Sequence, residues 1–413
     1  MKFVHAADLH LDSPLLGLER YETAPTEELR RATRDALVRL VELCIQERAE
    51  LLLIAGDLFD GNWRDYSTGL FLAEQMARLK DAGVEVVWLR GNHDAESRLT
   101  KHLKMPSNVR ELSTRHPESV AFERLDVVVH GQGFLTGAVT EDLTRRYPRP
   151  VGSVFNIGLL HTALDGREGH APYAPTSVPL LADLGYQYWA LGHAHGHEIV
   201  SREPYIVYPG NLQGRHARET GPKGAIVVEL SGARLVGLEH RALDVVRYER
   251  VAVDVSECLS LDDVSELVQR EMAVASRAAE QRLLALRVEL RGASEVHAAL
   301  ARSPERISAL VQAAALEVDG PIWIERVVVQ SPRRVDVPAK ATSGPIACLV
   351  REIAELRADP ALLAAFASEV PGLAELERKL AAVSDERQSL ADALSEAEAL
   401  LLSRLSEAPG VER

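Results

Sequence analysis

The sequence predicts an α/β fold: a two-sheet sandwich flanked by helices, followed by a small α+β domain and a helical C-terminal arm. Three observations predict it. From residue 2 to residue 94, short apolar runs alternate with amphipathic stretches, and each apolar run exits into polar residues. From there to residue 242 the apolar runs are short and close together, which reads as β-rich. After residue 343 the chain is dominated by Ala, Leu and Glu, which are helix formers.

The elements follow in order. Residues 2–7 read as a strand ending in Asp8-Leu9-His10-Leu11-Asp12. Residues 25–50 read as an amphipathic helix, because Leu29, Leu37, Leu40, Val41 and Ile45 recur at helical spacing. Residues 51–55 are continuously apolar and stop at Gly56-Asp57, the pattern of a strand buried on both faces. Residues 65–82 read as a second helix, closed by Gly83. Residues 84–89 are apolar again and exit into Arg90-Gly91-Asn92-His93-Asp94. Strand and helix in alternation imply a parallel sheet with helices on its faces.

Residues 119–122 and 125–131 read as short strands. Residues 155–160 end in His161-Thr162, and residues 188–191 end in Gly192-His193-Ala194-His195-Gly196-His197. Strands at 205–208, 224–230 and 234–240 close a first domain, residues 1–242. Residues 245–335 form a compact α+β unit, with strands at 250–255, 283–291 and 322–330 and helices at 261–279 and 294–316. Residues 336–345, with Pro338 and Lys340, read as a linker. Residues 346–413 read as a helical arm in which Leu373, Leu376, Leu380, Val383, Leu390, Leu394 and Leu401 make a coiled-coil-like stripe.

Composition bounds the function. At 413 residues the chain exceeds one ordinary core. Hydrophobic content of 46% and charged content of 26% are those of a soluble globular protein. No apolar run approaches about 18 residues, so no membrane span is expected. The N-terminus reads as a strand leading into functional residues, not as a signal peptide. Cys44, Cys258 and Cys348 are scattered without paired spacing, which fits core fillers in a reducing cytoplasm. A net charge of −14 argues against a protein that coats nucleic acid by bulk charge. It leaves room for a local basic rim.

The polar residues at the strand exits are Asp8, His10, Asp57, Asn92, His93, His161, His193 and His195. Strands of one sheet can end on one edge, so these side chains can converge. Imidazole, carboxylate and one amide oxygen, with no thiolate, suit Mn²⁺, Fe²⁺ or Zn²⁺ at five or six coordination better than a structural zinc site. A carboxylate in the position of Asp57 has two oxygens and can bridge two cations. Two cations roughly 3.5–4 Å apart stabilise the attacking and leaving oxygens of an in-line displacement at phosphorus.

Asp8-x-His10, Gly56-Asp57-x-x-Asp60, Gly91-Asn92-His93-Asp94, His161 and Gly192-His193-x-His195 resemble the five signature blocks of the calcineurin-like metallophosphoesterase superfamily. The opening from Phe3 to Asp12 is similar to the SbcD-type DNA repair nucleases. Gly61-Asn62-Trp63, the run from Tyr208 to His216, and Glu219-Thr220-Gly221-Pro222-Lys223-Gly224 look like the YhaO subgroup. The resemblance implies one metal, Mn²⁺ first among the candidates, on Asp8, His10, Asp57 and His195. It implies a second on Asp57, Asn92, His161 and His193. His93 would stabilise the scissile phosphate and protonate the leaving oxygen, with Asp94 orienting it. One position departs from the pattern: SbcD-type enzymes often carry a histidine where this chain has Asp60.

The implied activity is a metal-dependent nuclease of DNA repair, with a homodimer, an SMC-like ATPase partner with coiled coils and a capping role for residues 245–335. The arm is the expected docking element for the ATPase. Arg90, Arg215 and His216 are candidate substrate contacts, within two basic groups that include Arg98, Lys101 and Lys104, and Arg202, Arg218 and Lys223. His5 reads as a buried structural residue, and His170 and His197 as loop histidines. The alternative function is a small-molecule or nucleotide phosphodiesterase on the same centre. A non-catalytic scaffold for the ATPase is a third reading, and a protein phosphatase is disfavoured because Asp60 is followed by Gly61-Asn62 instead of Arg-Gly.

Overall fold

The computed structural model describes residues 1–14, 24–60, 66–96, 104–164, 173–330 and 345–370. Within these the chain runs β1 (Lys2–Ala6), α1 (Thr26–Gln46), β2 (Leu51–Ile54), α2 (Tyr66–Asp81), β3 (Glu85–Trp88), a short α3 (Asn92–Glu96) and β4 (Val109–Glu111). There follow β5 (Glu118–Phe122), β6 (Val127–Gly131), β7 (Phe155–His161), α4 (Val178–Asp183), β8 (Tyr188–Gly192), β9 (Glu198–Arg202) and β10 (Tyr205–Tyr208). β11 (Gly224–Ser231), β12 (Arg234–Ala242) and β13 (Val246–Asp254) lead to α5 (Leu261–Ala278) and β14 (Leu283–Arg291). The last elements are α6 (His297–Arg302), α7 (Pro304–Leu316), β15 (Ile322–Gln330), α8 (Pro345–Ala358) and α9 (Pro360–Glu369).

Two six-stranded sheets carry the first part of the chain, in the orders β12-β11-β1-β2-β3-β4 and β5-β6-β7-β8-β10-β9. In the first, β1, β2, β3 and β4 are parallel and β11 returns antiparallel beside β1. In the second, β6, β7, β8 and β10 are parallel, with β5 and β9 antiparallel at the edges. Strand periodicity sorts the side chains. Phe3, Leu51, Leu53 and Val87 face the second sheet and pack on Val129, Phe155, Ile157, Leu159 and Tyr188. Val4, Leu52, Ile54, Val86 and Trp88 face the helices and meet Leu37, Leu40 and Val41 of α1 and Leu72, Met76 and Leu79 of α2. The outer face of the second sheet has its own core, built on Trp189, Leu191, Ile206 and Tyr208 with Leu181 and Tyr186.

The chain forms two compact units. The first is Met1–Arg250 with Ser276–Leu286 and Gly320–Glu325; the second is Val251–Ala275, Arg287–Asp319 and the described part of Arg326–Arg413. A third sheet has the order β13-β14-β15.

Several sequence expectations shift. Ile45 is 38% exposed and lies off the buried stripe of α1. The helix expected over 294–316 is two, α6 and α7, with Pro304 opening the second. A proline disfavours helical geometry at the residue before it, so the break falls at Ser303. The arm breaks likewise at Asp359, ahead of Pro360. β4 and β9 are strands that periodicity missed, being short and without a fully buried residue. The linker from residue 336 to 344 and the leucine stripe beyond residue 370 lie outside the described residues.

Candidate metal centre

The exits of β1, β2 and β3 in one sheet and of β7 and β8 in the other carry the residues singled out from the sequence. Backbone hydrogen bonds tie the first two exits together: Asp8 N–H donates to Gly56 O at 3.0 Å, and His10 N–H to Asp57 O at 3.0 Å. The third exit joins them when His93 N–H donates to Asp57 Oδ1 at 3.0 Å. From the second sheet, His193 N–H donates to both oxygens of Asp8, at 3.2 and 3.0 Å.

The backbone at these exits is unusual. Asp8, His10, Asp57 and His193 have φ values of 51°, 44°, 52° and 102°. Left-handed geometry in residues with a Cβ costs of order 1 kcal/mol each and persists only where the surroundings enforce it. Two glycines make room. A Cβ on Gly91 would fall on the Asp57 carboxylate, and one on Gly56, where φ is +94°, would fall on the His161 ring.

The side chains converge. The ligand atoms of Asp8, His10 and His195 lie within 4.8 Å of one another, and so do those of Asp8, Asp57 and His161. Asp57 Oδ2 lies 4.0 Å from His10 Nε2 and 3.5 Å from His161 Nε2, so it reaches toward both expected ligand sets. His10 Nε2 and His195 Nε2 are 3.3 Å apart. Asn92 Oδ1 is 2.9 Å from His161 Nε2, and the His161 and His193 ring centres are 5.2 Å apart.

Protonation tests whether divalent cations fit. His161 Nδ1 lies 2.9 Å from Ala55 O, so Nδ1 carries the proton and Nε2 presents its lone pair. That lone pair faces the Asn92 carbonyl oxygen, another acceptor. Two acceptors aimed at one point suit a cation between them. His10 Nδ1 is buried without a hydrogen bond among the described residues. Burial raises Asp8 well above the carboxylate range, with the nearby Asp57 adding to it. Burial raises Asp57 to about 6 and Asp94 to about 7. Burial lowers His10, and lowers His161 to about 3, keeping both imidazoles neutral. Neutral imidazoles around crowded, poorly solvated carboxylates are a cation-binding set.

Beside this cluster stands a fourth carboxylate. Asp60 Oδ1 is 2.8 Å from His93 Nδ1 and 3.8 Å from His10 Nδ1. Asp60 Oδ2 accepts from Ser13 Oγ at 2.6 Å and from Arg215 Nη1 at 3.5 Å. Burial opposes its ionisation, but the hydrogen bonds from His93 and Ser13 prevail and hold it down at about 2. The same hydrogen bond raises His93, whose side chain is 40% exposed.

The expected orientation of His93 by Asp94 is therefore corrected. Asp94 spends its oxygens on the N–H groups of Leu58, Phe59 and Gly91, at 3.0–3.2 Å, and so fixes two strand exits. Asp60 is the carboxylate that holds His93. Arg90 Nε donates to Glu111 at 2.6 Å. Arg215 comes to the cluster, and His216 is half-exposed with Nε2 3.6 Å from Glu219. Lys223 does not belong to a basic rim: its buried ammonium donates to His195 O at 2.8 Å. His5 is buried against Tyr188 Oη and Leu191 O, and His197 lies against His240. Gly61-Asn62-Trp63, Arg98, Lys101 and His170 lie outside the described residues.

Sequence reasoning missed Glu219, whose Oε1 is 2.7 Å from His195 Nδ1, and Ser13. It also missed Asp12, which receives Nε of Arg34 at 2.7 Å and anchors the first exit to α1. Glu219 lay in a motif already noted, and the signal that could have found it is an acidic residue among glycines and basic residues.

Comparison with known proteins agrees with this geometry. The calcineurin-like phosphoesterase family matches residues 1–197, and the middle domain of metallophosphoesterase YhaO matches residues 248–331. An uncharacterized metallophosphoesterase YhaO from Bacillus subtilis is 36% identical over 273 residues, covering 65% of this chain and 67% of that protein. A DNA double-strand break repair protein Mre11 from Methanopyrus kandleri is 30% identical over 302 residues, 64% of this chain and 60% of that protein. This chain thus spans less than two thirds of that relative. A dimetal phosphatase structure from Danio rerio has a TM-score of 0.38 at 14% identity, covering 59% of this chain and 96% of that one, too low to carry an argument. With the signature blocks gathered at one edge of a two-sheet sandwich and both family matches in register with the chain, this protein belongs to the YhaO family of calcineurin-like metallophosphoesterases.

Proposed function

We propose that this protein is a manganese-dependent phosphodiesterase that cleaves DNA, the nuclease subunit of a repair assembly in the cytoplasm. One observation carries the reading: Asp57 Oδ2 stands 4.0 Å from His10 Nε2 and 3.5 Å from His161 Nε2, between two groups of ligand atoms that a third, of His10, Asp60 and His93, adjoins. Asp8, His10, Asp57 and His195 would hold one divalent cation, and Asp57, Asn92, His161 and His193 the other. When bound, such cations supply Lewis acidity to the phosphate oxygens and lower the pKa of water. His93 is not a ligand in this scheme. Its ring stands 5.1 Å, centre to centre, from that of His10. The hydrogen bond to Asp60 favours the protonated form of His93, and His93 gives that proton to the leaving oxygen and recovers it from solvent. Arg215 has a buried Nε without a hydrogen bond among the described residues and is the closer candidate for a phosphate oxygen. His216 flanks it, whereas Arg90 is already held by Glu111.

DNA as substrate is supported by the similarity to a DNA double-strand break repair protein. No described helix is long and apolar enough to cross a membrane. The proposal includes a coiled-coil ATPase partner docking on the arm after residue 345, a homodimer, and a capping role for residues 245–335. Purified protein with Mn²⁺ is offered linear duplex DNA, single-stranded DNA, bis-(p-nitrophenyl) phosphate and cyclic dinucleotides. DNA cleavage that Asp57→Ala removes and His93→Ala strongly reduces is the expected result. Turnover of small esters alone would transfer the site to a small-molecule or nucleotide phosphodiesterase. Bound metal without any turnover would leave a scaffold.

A further inference from the structure

The loop from residue 209 to residue 223 follows β10 and supplies no expected metal ligand. It nevertheless closes on the centre through one buried carboxylate. Glu219 is 8% exposed. Its Oε1 lies 2.7 Å from His195 Nδ1, 3.5 Å from Arg215 Nη2 and 3.6 Å from His216 Nε2. Its Oε2 accepts from Arg215 N–H at 2.7 Å and from Asn211 Nδ2 at 3.0 Å. A carboxylate has no proton to give, so His195 Nδ1 is the donor. The lone pair of His195 is then on Nε2, the atom that faces His10 Nε2, and His195 is one of the group with Asp8 and His10. The main chain of His195 is held as well, by Lys223 Nζ on its carbonyl oxygen.

We infer that Glu219 is a positioning residue for the metal centre: it fixes the tautomer and direction of His195 and, through the same carboxylate, the place of Arg215. This rests on the metal-centre reading above. A ligating imidazole whose second nitrogen donates to a carboxylate is oriented and made more basic, and loss of such a partner typically costs about 10–100-fold in metal affinity. Glu219 also satisfies the amides of its own turn, so a purely structural role is the competing account. The two accounts differ in what the metal feels.

The test measures Mn²⁺ and Co²⁺ affinity and stoichiometry by calorimetry on the full chain, with the melting temperature of the metal-free protein alongside. Wild type is expected to bind two ions. Glu219→Ala is expected to weaken one of them about 10–100-fold, with the visible spectrum of the Co²⁺ form altered. Glu219→Gln, which keeps an acceptor for Nδ1–H, is expected to recover part of the loss. In a His195→Ala background, Glu219→Gln is expected to cause no further loss, and this arm decides the matter if Glu219→Ala does not fold. Unchanged affinities and Co²⁺ spectrum in the Glu219 variants, or losses that simply add to those of His195→Ala, would overturn the inference while leaving the metal centre standing. A wild type that binds no divalent ion would overturn the metal-centre reading and this inference with it.

Discussion

At the scale of single residues the centre is a contest between burial and pairing. Burial pushes Asp8, Asp57 and Asp94 toward protonation, whereas hydrogen bonds pull Asp60 the other way, down to about 2. The Asp60–His93 pair follows from its two shifts. Asp60 is depressed from 3.8, so its contribution to stability is present above that value and is lost as pH falls toward about 2. His93 is raised from 6.5, so its contribution is present below 6.5 and fades as pH rises through its folded value. The pair is at full strength between those two reference values. Asp60→Asn removes the charge that holds the proton on His93. The expected outcome is a lower rate and an alkaline limb of the pH–rate profile displaced toward lower pH. His93→Ala is expected to reduce cleavage by roughly 10²–10⁴-fold, the usual range for loss of a general acid. Both ions should remain. Metal analysis with one ion missing would show that His93 is a ligand after all.

At the scale of elements, the strand exits are shaped by close approach. Gly91→Ala would put a methyl group on the Asp57 carboxylate. The expected result is loss of bound metal together with a stability loss of about 1–3 kcal/mol, the range for overpacking a tight interior. Gly83→Ala is the control. It has φ +76° but open space around it, so it should cost roughly 1–2 kcal/mol and leave metal stoichiometry intact. Metal titration beside chemical denaturation separates the two. The helices have a different constraint. The apolar stripe of α2 and the C-terminal part of that of α1 are consumed by the first sheet, and Leu29 and Ala32 of α1 pack on Val246, Tyr248 and Trp323, which leaves Leu70 at 68% and Tyr66 at 63% exposure on α2. A homodimer through α2 would rest on these two, so Leu70→Glu should convert dimer to monomer by light scattering without lowering the melting temperature. A wild-type monomer at micromolar concentration would remove the dimer.

At the scale of the whole molecule, metal and fold are linked. Asp57 and Asp94, raised from 3.8 to about 6 and about 7, favour the fold in their protonated forms, so stability of the metal-free protein is lost at these groups as pH rises from 3.8 through those values. His5 and His161, lowered from 6.5 to about 3, act oppositely and add stability as pH rises from about 3 to 6.5. The two sets oppose each other in the metal-free protein. Bound cations favour the ionised carboxylates, so ions compete with protons at Asp57. The gain in melting temperature from Mn²⁺ should therefore grow as pH rises from about 5 to about 7. Calorimetry in buffers of different ionisation enthalpy should detect proton release on binding. A gain independent of pH would mean that the carboxylates are already ionised.

The sequence by itself determined the fold class and the residue types at the strand exits, because both are written in local pattern. Leu51 to Ala55 running into Gly56-Asp57 announces a buried strand with a carboxylate at its exit, whatever the rest of the chain does. Tertiary structure alone decided which groups pair. Asp60 rather than Asp94 faces His93, although Asp94 is its neighbour in sequence, because α3 turns Asp94 toward the amides of Leu58, Phe59 and Gly91. Glu219 reaches His195, and Arg215 reaches Asp60, across 24 and 155 residues of chain. Hydrogen bonds are short-ranged and directional, so partners so far apart in sequence are fixed only once both sheets have closed on each other.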